Sequence, residues 1–246
     1  ALKDQGKFEE AINAYKKSIL LKPDFAQAYD NMGVALKNQG KLDEAIEAHQ
    51  KSILLKPDNA KSYNNMGVVL KEQEKTDEAL TAFKRAILIK ADYAEAYNNL
   101  ANIFYNQDNF DEAIKTYKKT ISFRPDYAEA HNNMGLAFME QGKFDLATAS
   151  FERAILINPD DVQLYYNLGN ALQDQGRLDE AETNYSQAIL CQPDFFEAHK
   201  GLGFTFLKNG KIKEGLNKME WRWKKPENLS KIRNFLQPKW DGKQSL

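Results

Sequence analysis

Prolines recur in this chain on a fixed beat. They fall at Pro23, Pro57, Pro125, Pro159 and Pro193, in steps of 34, 68, 34 and 34 residues, with Ala91 on the skipped beat. Glycine keeps the same period at Gly33, Gly67, Gly135, Gly169 and Gly203, with Ala101 in the gap. A third series runs Ala11, Ala45, Ala79, Ala113, Ala147 and Ala181. Three independent series on one period define a tandem array, in which each unit buries its apolar face only by stacking on its neighbours.

One unit, residues 94–127, reads as two helices. AEAYNNLANIFYNQ puts Tyr97, Leu100, Ala101 and Phe104 on one face at helical spacing, and FDEAIKTYKKTISF does the same with Ala113, Ile114, Tyr117 and Ile121. The small residues of the Gly33 and Ala45 series suit places where two helices approach closely. Proline loses a hydrogen bond inside a helix, so its beat marks the break between units. Gly6, Gly40, Gly142, Gly176 and Gly210 fall between the helices of a pair, where a left-handed residue commonly ends a helix. Glu74 and Asp108 hold that place in two units. A left-handed backbone there costs Glu74 roughly 1 kcal/mol, and Asp108 tolerates it better.

These residues carry a family resemblance. The tetratricopeptide pattern runs W-x2-L-G-x2-Y, then A-x3-F, then P, over about 34 residues. The unit opened by Val162 follows it with Tyr165, Leu168, Gly169 and Leu172, then Ala181, Tyr185 and Pro193. It departs at Tyr165, Leu172 and Tyr185, where one large apolar or aromatic residue stands for another. The chain thus resembles the tetratricopeptide repeat (TPR) family over nearly its whole length. The resemblance implies an all-α fold, a right-handed superhelical solenoid of antiparallel helix pairs. The expected layout is a solenoid over 1–225, with a lone second helix at 8–22 and pairs starting at 26, 60, 94, 128, 162 and 196. A capping helix and linker tail are expected over 226–246, with Leu229, Ile232 and Leu236 on the helix's apolar side. The opening ALKDQGK aligns with Ala35–Lys41, the end of a first helix, so the chain reads as a fragment that starts inside a unit. The side of Phe8, Ile12 and Tyr15 is then left bare, and end-to-end self-association is expected from it.

Charge and composition narrow the functional classes. Lys+Arg number 34 against 35 Asp+Glu, which gives no general attraction to nucleic acid. The balance is uneven: from Lys208 onward 11 basic residues face 4 acidic ones, leaving 23 against 31 in the body. A single cysteine, Cys191, forms no intrachain disulfide. No apolar run approaches the ~18 residues of a membrane span, and no signal peptide opens the chain. A cytoplasmic location is expected.

The register of polar residues points to a binding face. Counting each unit from Ala26, Ala60, Ala94, Ala128, Val162 and Phe196, core positions 4, 7, 8 and 11 of the first helix cluster in one direction. Positions 2, 6, 9 and 13 cluster almost opposite. In the tetratricopeptide family the first helices line the concave surface, which implies that these positions face the groove. Position 6 holds Asn31, Asn65, Asn99, Asn133 and Asn167, then Gly201. Position 5 adds Asn64, Asn98 and Asn132, position 9 adds Asn102 and Asn170, and Tyr105 joins from position 12. Asparagine is a mediocre helix former, so propensity does not explain the column. Its amide offers donors and an acceptor and can pair with an extended peptide backbone of any sequence. The array resembles the asparagine ladder of the O-GlcNAc transferase superhelix. Bonds to a neighbouring helix or to water are the other use for such amides. Family members that clamp chaperone C-termini pair Lys at position 5 with Asn at position 9, and no unit here has that pair.

Nothing in the sequence suggests catalysis, a metal or a cofactor. His131 and His199 occupy an aromatic core position, as does His49 in the second helix of its unit, without the close ligand spacing of a zinc site. Asp43–Glu44, Asp77–Glu78, Asp111–Glu112 and Asp179–Glu180 recur in first turns of second helices, where they complement the helix dipole. Near the C-terminus, Glu220-Trp221-Arg222-Trp223 and Pro238-Lys239-Trp240-Asp241-Gly242 resemble the junction at which bacterial repeat proteins run into a glycosyltransferase-like domain. The primary expectation is a non-enzymatic module that binds a protein or extended peptide in its groove. The alternatives are the targeting arm of a larger enzyme and a self-assembling scaffold.

Overall fold

A computed structural model describes residues 7–220 of the chain. The capping helix and the Trp-rich junction motifs lie outside those residues, apart from Glu220. Thirteen helices follow one another in the described residues, with no strand among them. First helices α2 (Ala26–Asn38), α4 (Ala60–Glu72), α6 (Ala94–Asn106), α8 (Ala128–Glu140), α10 (Val162–Asp174) and α12 (Phe196–Lys208) begin where the units were counted from. Second helices are α1 (Phe8–Leu21), α3 (Leu42–Leu55), α5 (Thr76–Ile89), α7 (Phe110–Phe123), α9 (Phe144–Ile157), α11 (Leu178–Cys191) and α13 (Ile212–Met219). The chain divides into two compact units, Ala1–Pro125 and Asp126–Leu246.

Inside the first unit, α2 packs on α3, α4 on α5 and α6 on α7, and α1, α3 and α5 also pack on the first helix that follows each of them. Successive first helices α2, α4 and α6 touch each other as well. The second unit repeats this plan, with α8, α10 and α12 in sequence. First helices therefore form one continuous layer within each unit.

The glycine series has a direct steric cause. A Cβ placed on Gly67 would lie 2.7 Å from the Phe83 ring, and one on Gly135 would lie 2.6 Å from Phe151. Gly33 meets His49 and Gly169 meets Tyr185 in the same way. A flat ring from the second helix rests on the bare backbone of the first. Phe83, Phe151 and Tyr185 are all but fully buried as a result, and Tyr117 is as buried in the unit that carries Ala101 there. In the last pair Met219 takes the ring's place against Gly203.

The turns behave as their residues require. Glu74 and Asp108 adopt φ of 62° and 56°, the left-handed region that glycine occupies in the other turns. The acidic pairs Asp43–Glu44, Asp77–Glu78, Asp111–Glu112 and Asp179–Glu180 do stand in first turns. One expectation is corrected at the chain's start. Ile12 is only 5% exposed and belongs to the cluster of Ala35, Leu36, Ala45 and Val69, with Tyr15 leaning on it. Phe8 is half-buried. Helix α1 packs on α2, so its apolar side is largely covered there and not bare.

Candidate peptide-binding face

Three asparagines of the column, Asn65, Asn99 and Asn167, form joints between repeats. Asn65 donates through Nδ2 to both carboxylate oxygens of Asp30, at 3.2 and 3.3 Å. Asn99 donates to Asn64 Oδ1 at 3.0 Å, and in the second unit Asn167 donates to Asn132 Oδ1 at 2.8 Å. Each bond runs from position 6 of one first helix to position 5 of the preceding one, because adjacent first helices touch at that level. Asn132 also donates to Asn133 Oδ1 at 3.1 Å. Asn31 and Asn167 accept from Gln27 and Gln163, one turn earlier on their own helices.

Burial grades the candidates. Asn64 and Asn98 are 7% and 1% exposed, so they serve the helix layer from inside. Asn167 is 6% exposed, whereas Asn31, Asn65, Asn99, Asn132 and Asn133 are half-buried and reach the surface. No intramolecular hydrogen bond engages Oδ1 of Asn65 or Asn99 among the described residues. Tyr105 is half-buried and meets the Phe110 ring edge-on at 5.6 Å.

Position 9 has a different partner. Asn102 accepts a hydrogen bond from the Tyr117 hydroxyl at 2.5 Å, and Asn170 accepts from Tyr185 at 2.7 Å. Where the second helix carries Phe83 or Phe151, position 9 holds Val68 or Leu136. The two columns vary together because a buried hydroxyl needs an acceptor and a buried phenyl does not. Burial pushes the Tyr185 phenol well above its ordinary pKa, with Tyr166 and Asp174 adding to it, so the group stays a donor.

The first pair replaces ring and amide by an ionisable couple. His49 and Asp30 are both fully buried, with Nδ1 and Oδ1 3.0 Å apart. Burial pushes the Asp30 carboxyl up, but the hydrogen bond and charge of His49 and donors from Asn65 and Ser62 outweigh it. The carboxyl is held below its usual value. Lys61 stands 4.0 Å from Asp30 Oδ2. The ring lies flat on Gly33 with Nε2 buried. His199 donates through Nε2–H to the Pro193 carbonyl at 2.9 Å. Sequence reasoning placed these histidines in packing positions but missed the buried aspartate beside the first.

Tandem hairpins whose first helices form a layer joined by side-chain amides define a helical-repeat protein. The chain belongs to the tetratricopeptide repeat family. A family model described as TPR repeat matches residues 1–40, 101–142, 135–176 and 169–210, and one described as Tetratricopeptide repeat matches 24–92. A search of the curated proteins finds no match. Among solved structures, MamA is 25% identical with a TM-score of 0.61, over 66% of this chain and 95% of its own. YrrB, described as a TPR protein with an unusual peptide-binding site, is 21% identical with a TM-score of 0.61, over 81% of this chain and 98% of its own. PilF of Pseudomonas aeruginosa is 15% identical with a TM-score of 0.72, over 84% and 95%. The last two show the fold alone. Proteins of this family are generally interaction modules without catalytic activity. No helix among the described residues is long and apolar enough to cross a membrane.

Proposed function

We propose that this chain is a protein-interaction module that receives an extended segment of a partner along its first-helix layer. The observation that carries the reading is the state of Asn65 and Asn99. Each amide is held through Nδ2 by the preceding repeat, which fixes its rotamer, while Oδ1 remains without an intramolecular partner among the described residues. An acceptor fixed in this way binds a backbone N–H with little further loss of side-chain freedom. Two such groups on successive repeats suit an extended chain, whose N–H groups recur whatever the side chains. Neighbouring position 12 changes from Lys37 and Lys71 to Tyr105, which supplies the variation that selects among sequences.

A peptide array probed with the wild-type chain and with an Asn65→Ala/Asn99→Ala variant tests this reading. Spots lost by a variant that melts like the wild type support the amide grip. Since Asn65 also serves Asp30, Lys71→Glu offers a second variant on the same face that leaves every joint intact. A changed spot pattern with Lys71→Glu supports the face, and patterns unaltered by both variants overturn it. An array that neither protein marks overturns peptide binding itself.

A further inference from the structure

Second helices of the first unit carry charge that the fold does not ask for. At two adjacent registers stand Lys16 and Lys17 on α1, Lys51 on α3, Lys84 and Arg85 on α5, and Lys118 and Lys119 on α7. All are exposed, and none forms an ion pair among the described residues. Helix dipoles do not account for them, because they sit in mid-helix and the last turns of these four helices hold no basic residue. Helices α9 and α11 build the same hairpins with Glu152, Arg153, Ser186 and Gln187 at these registers. Interleaved with the cations, Leu20, Leu54 and Leu88 project into solvent, 82%, 70% and 71% exposed. That leucine recurs at Leu156 and Leu190 in the second unit, where Arg153, beside Glu152, is the one cation at these two registers of α9 and α11.

A cavity opens on this same surface. It lies between α3 and α5, has a volume of about 740 Å³, and is floored by Tyr63, Met66 and Leu70 of α4. Ile46 and Ala82 form its sides, and Gln50, Lys84, Arg85 and Leu88 stand around it. Asp77 and Glu78 line the end nearer the start of α5, so its charge runs from acidic to basic along the helix.

We propose that this surface is a second protein-binding site, which takes an acidic amphipathic segment of a partner. A large apolar side chain of that segment enters the cavity between α3 and α5, and its carboxylates meet Lys84, Arg85 and the flanking lysines. Charge complementarity selects the acidic partner. The acidic end of the cavity sets its direction, since carboxylates opposite Asp77 and Glu78 are repelled. Residues 221–246 are not this occupant, because they carry seven basic residues against two acidic ones. A second copy docking face to face sets lysine against lysine. An anionic membrane satisfies the cations and leucines but leaves the recessed apolar floor without a side chain to fill it.

The test is fluorescence anisotropy on the full chain with a labelled helical peptide bearing Leu or Phe every three or four residues and Glu on the other face. A twin peptide with Lys for Glu, and vesicles of phosphatidylserine and phosphatidylcholine, complete the set. The acidic peptide is expected to saturate the chain and the basic twin not to bind. Lys84→Glu/Arg85→Glu, and separately Gln50→Trp across the cavity mouth, are expected to weaken the complex about tenfold or more. All three positions are exposed, so unchanged circular dichroism melting is expected alongside. Asn65→Ala/Asn99→Ala leaves this binding intact, which separates it from the first-helix layer. Equal binding of both peptides, indifference to both variants, no peptide binding, or binding to the vesicles alone overturns the proposal.

Discussion

Single residues in this chain work in couples across fixed sequence distances. Tyr185 and Asn170, 15 residues apart, share a hydrogen bond that Phe151 and Leu136 do without at equivalent positions. Tyr185→Phe alone is expected to cost about 1–2 kcal/mol by stranding the amide oxygen, and Asn170→Leu alone a similar amount by stranding the hydroxyl. The double variant copies the neighbouring pair and is expected to recover most of either loss. Urea unfolding of the four proteins in a double-mutant cycle reads the coupling, and additive losses contradict the account. The asparagines at position 6 were legible as a column, but not the bond that explains their register. That bond joins residues 35 apart in sequence, and it exists only because first helices touch. The covariation of positions 9 and 24 was present in the sequence and needed only the two columns to be compared.

At the scale of helices and turns, the sequence was informative because each boundary has a local cause. Proline, the left-handed turn residue and the acidic first turn are chemical punctuation within a few residues of each helix end. The starts of α2, α4, α6, α8, α10 and α12 were therefore readable. Glu74 was readable too: its φ of 62° strains a residue with a Cβ. Glu74→Gly is expected to stabilise the chain by up to about 1 kcal/mol, and Asp108→Gly by less, since aspartate tolerates this backbone. Denaturation midpoints of the two variants give the order, and a destabilised Glu74→Gly contradicts it. The cationic registers of α1, α3, α5 and α7 were not read as a surface. The sign of charge along the whole chain hid them, because acidic first turns on the same helices cancel them in any sum.

For the molecule as a whole, the period alone identified the fold class, since units of this length become stable only by stacking. It did not foretell that the chain divides at Pro125 into two compact units, nor that among the described residues the fully buried carboxylate, Asp30, lies in the first. A carboxyl held low in the fold stabilises it above the unfolded pKa of about 3.9, and that contribution is lost as pH falls through the folded value. The first unit is therefore expected to weaken below about pH 4 through Asp30. Asp30→Asn keeps an acceptor for Asn65 and removes the titration. Comparing urea midpoints at pH 7 and pH 3, the wild type is expected to fall further than Asp30→Asn. An equal fall in both assigns the acid loss to other carboxylates.

The joint between first helices has a bearing on how such a chain changes its length. Its donor is always an asparagine at one register, and its acceptor in the first unit is Asp30 or Asn64, either of which accepts the same amide. Excising residues 60–93 would bring Asn99 opposite Asp30, and duplicating the same stretch would bring Asn65 opposite a second Asn64. Neither edit leaves a mismatched seam. Hairpins joined by an interchangeable coupling can be gained or lost whole, as carriages are from a train. The coupling changes its spelling at Gly201, which has no amide to offer Tyr166, and there the gauge of the line changes.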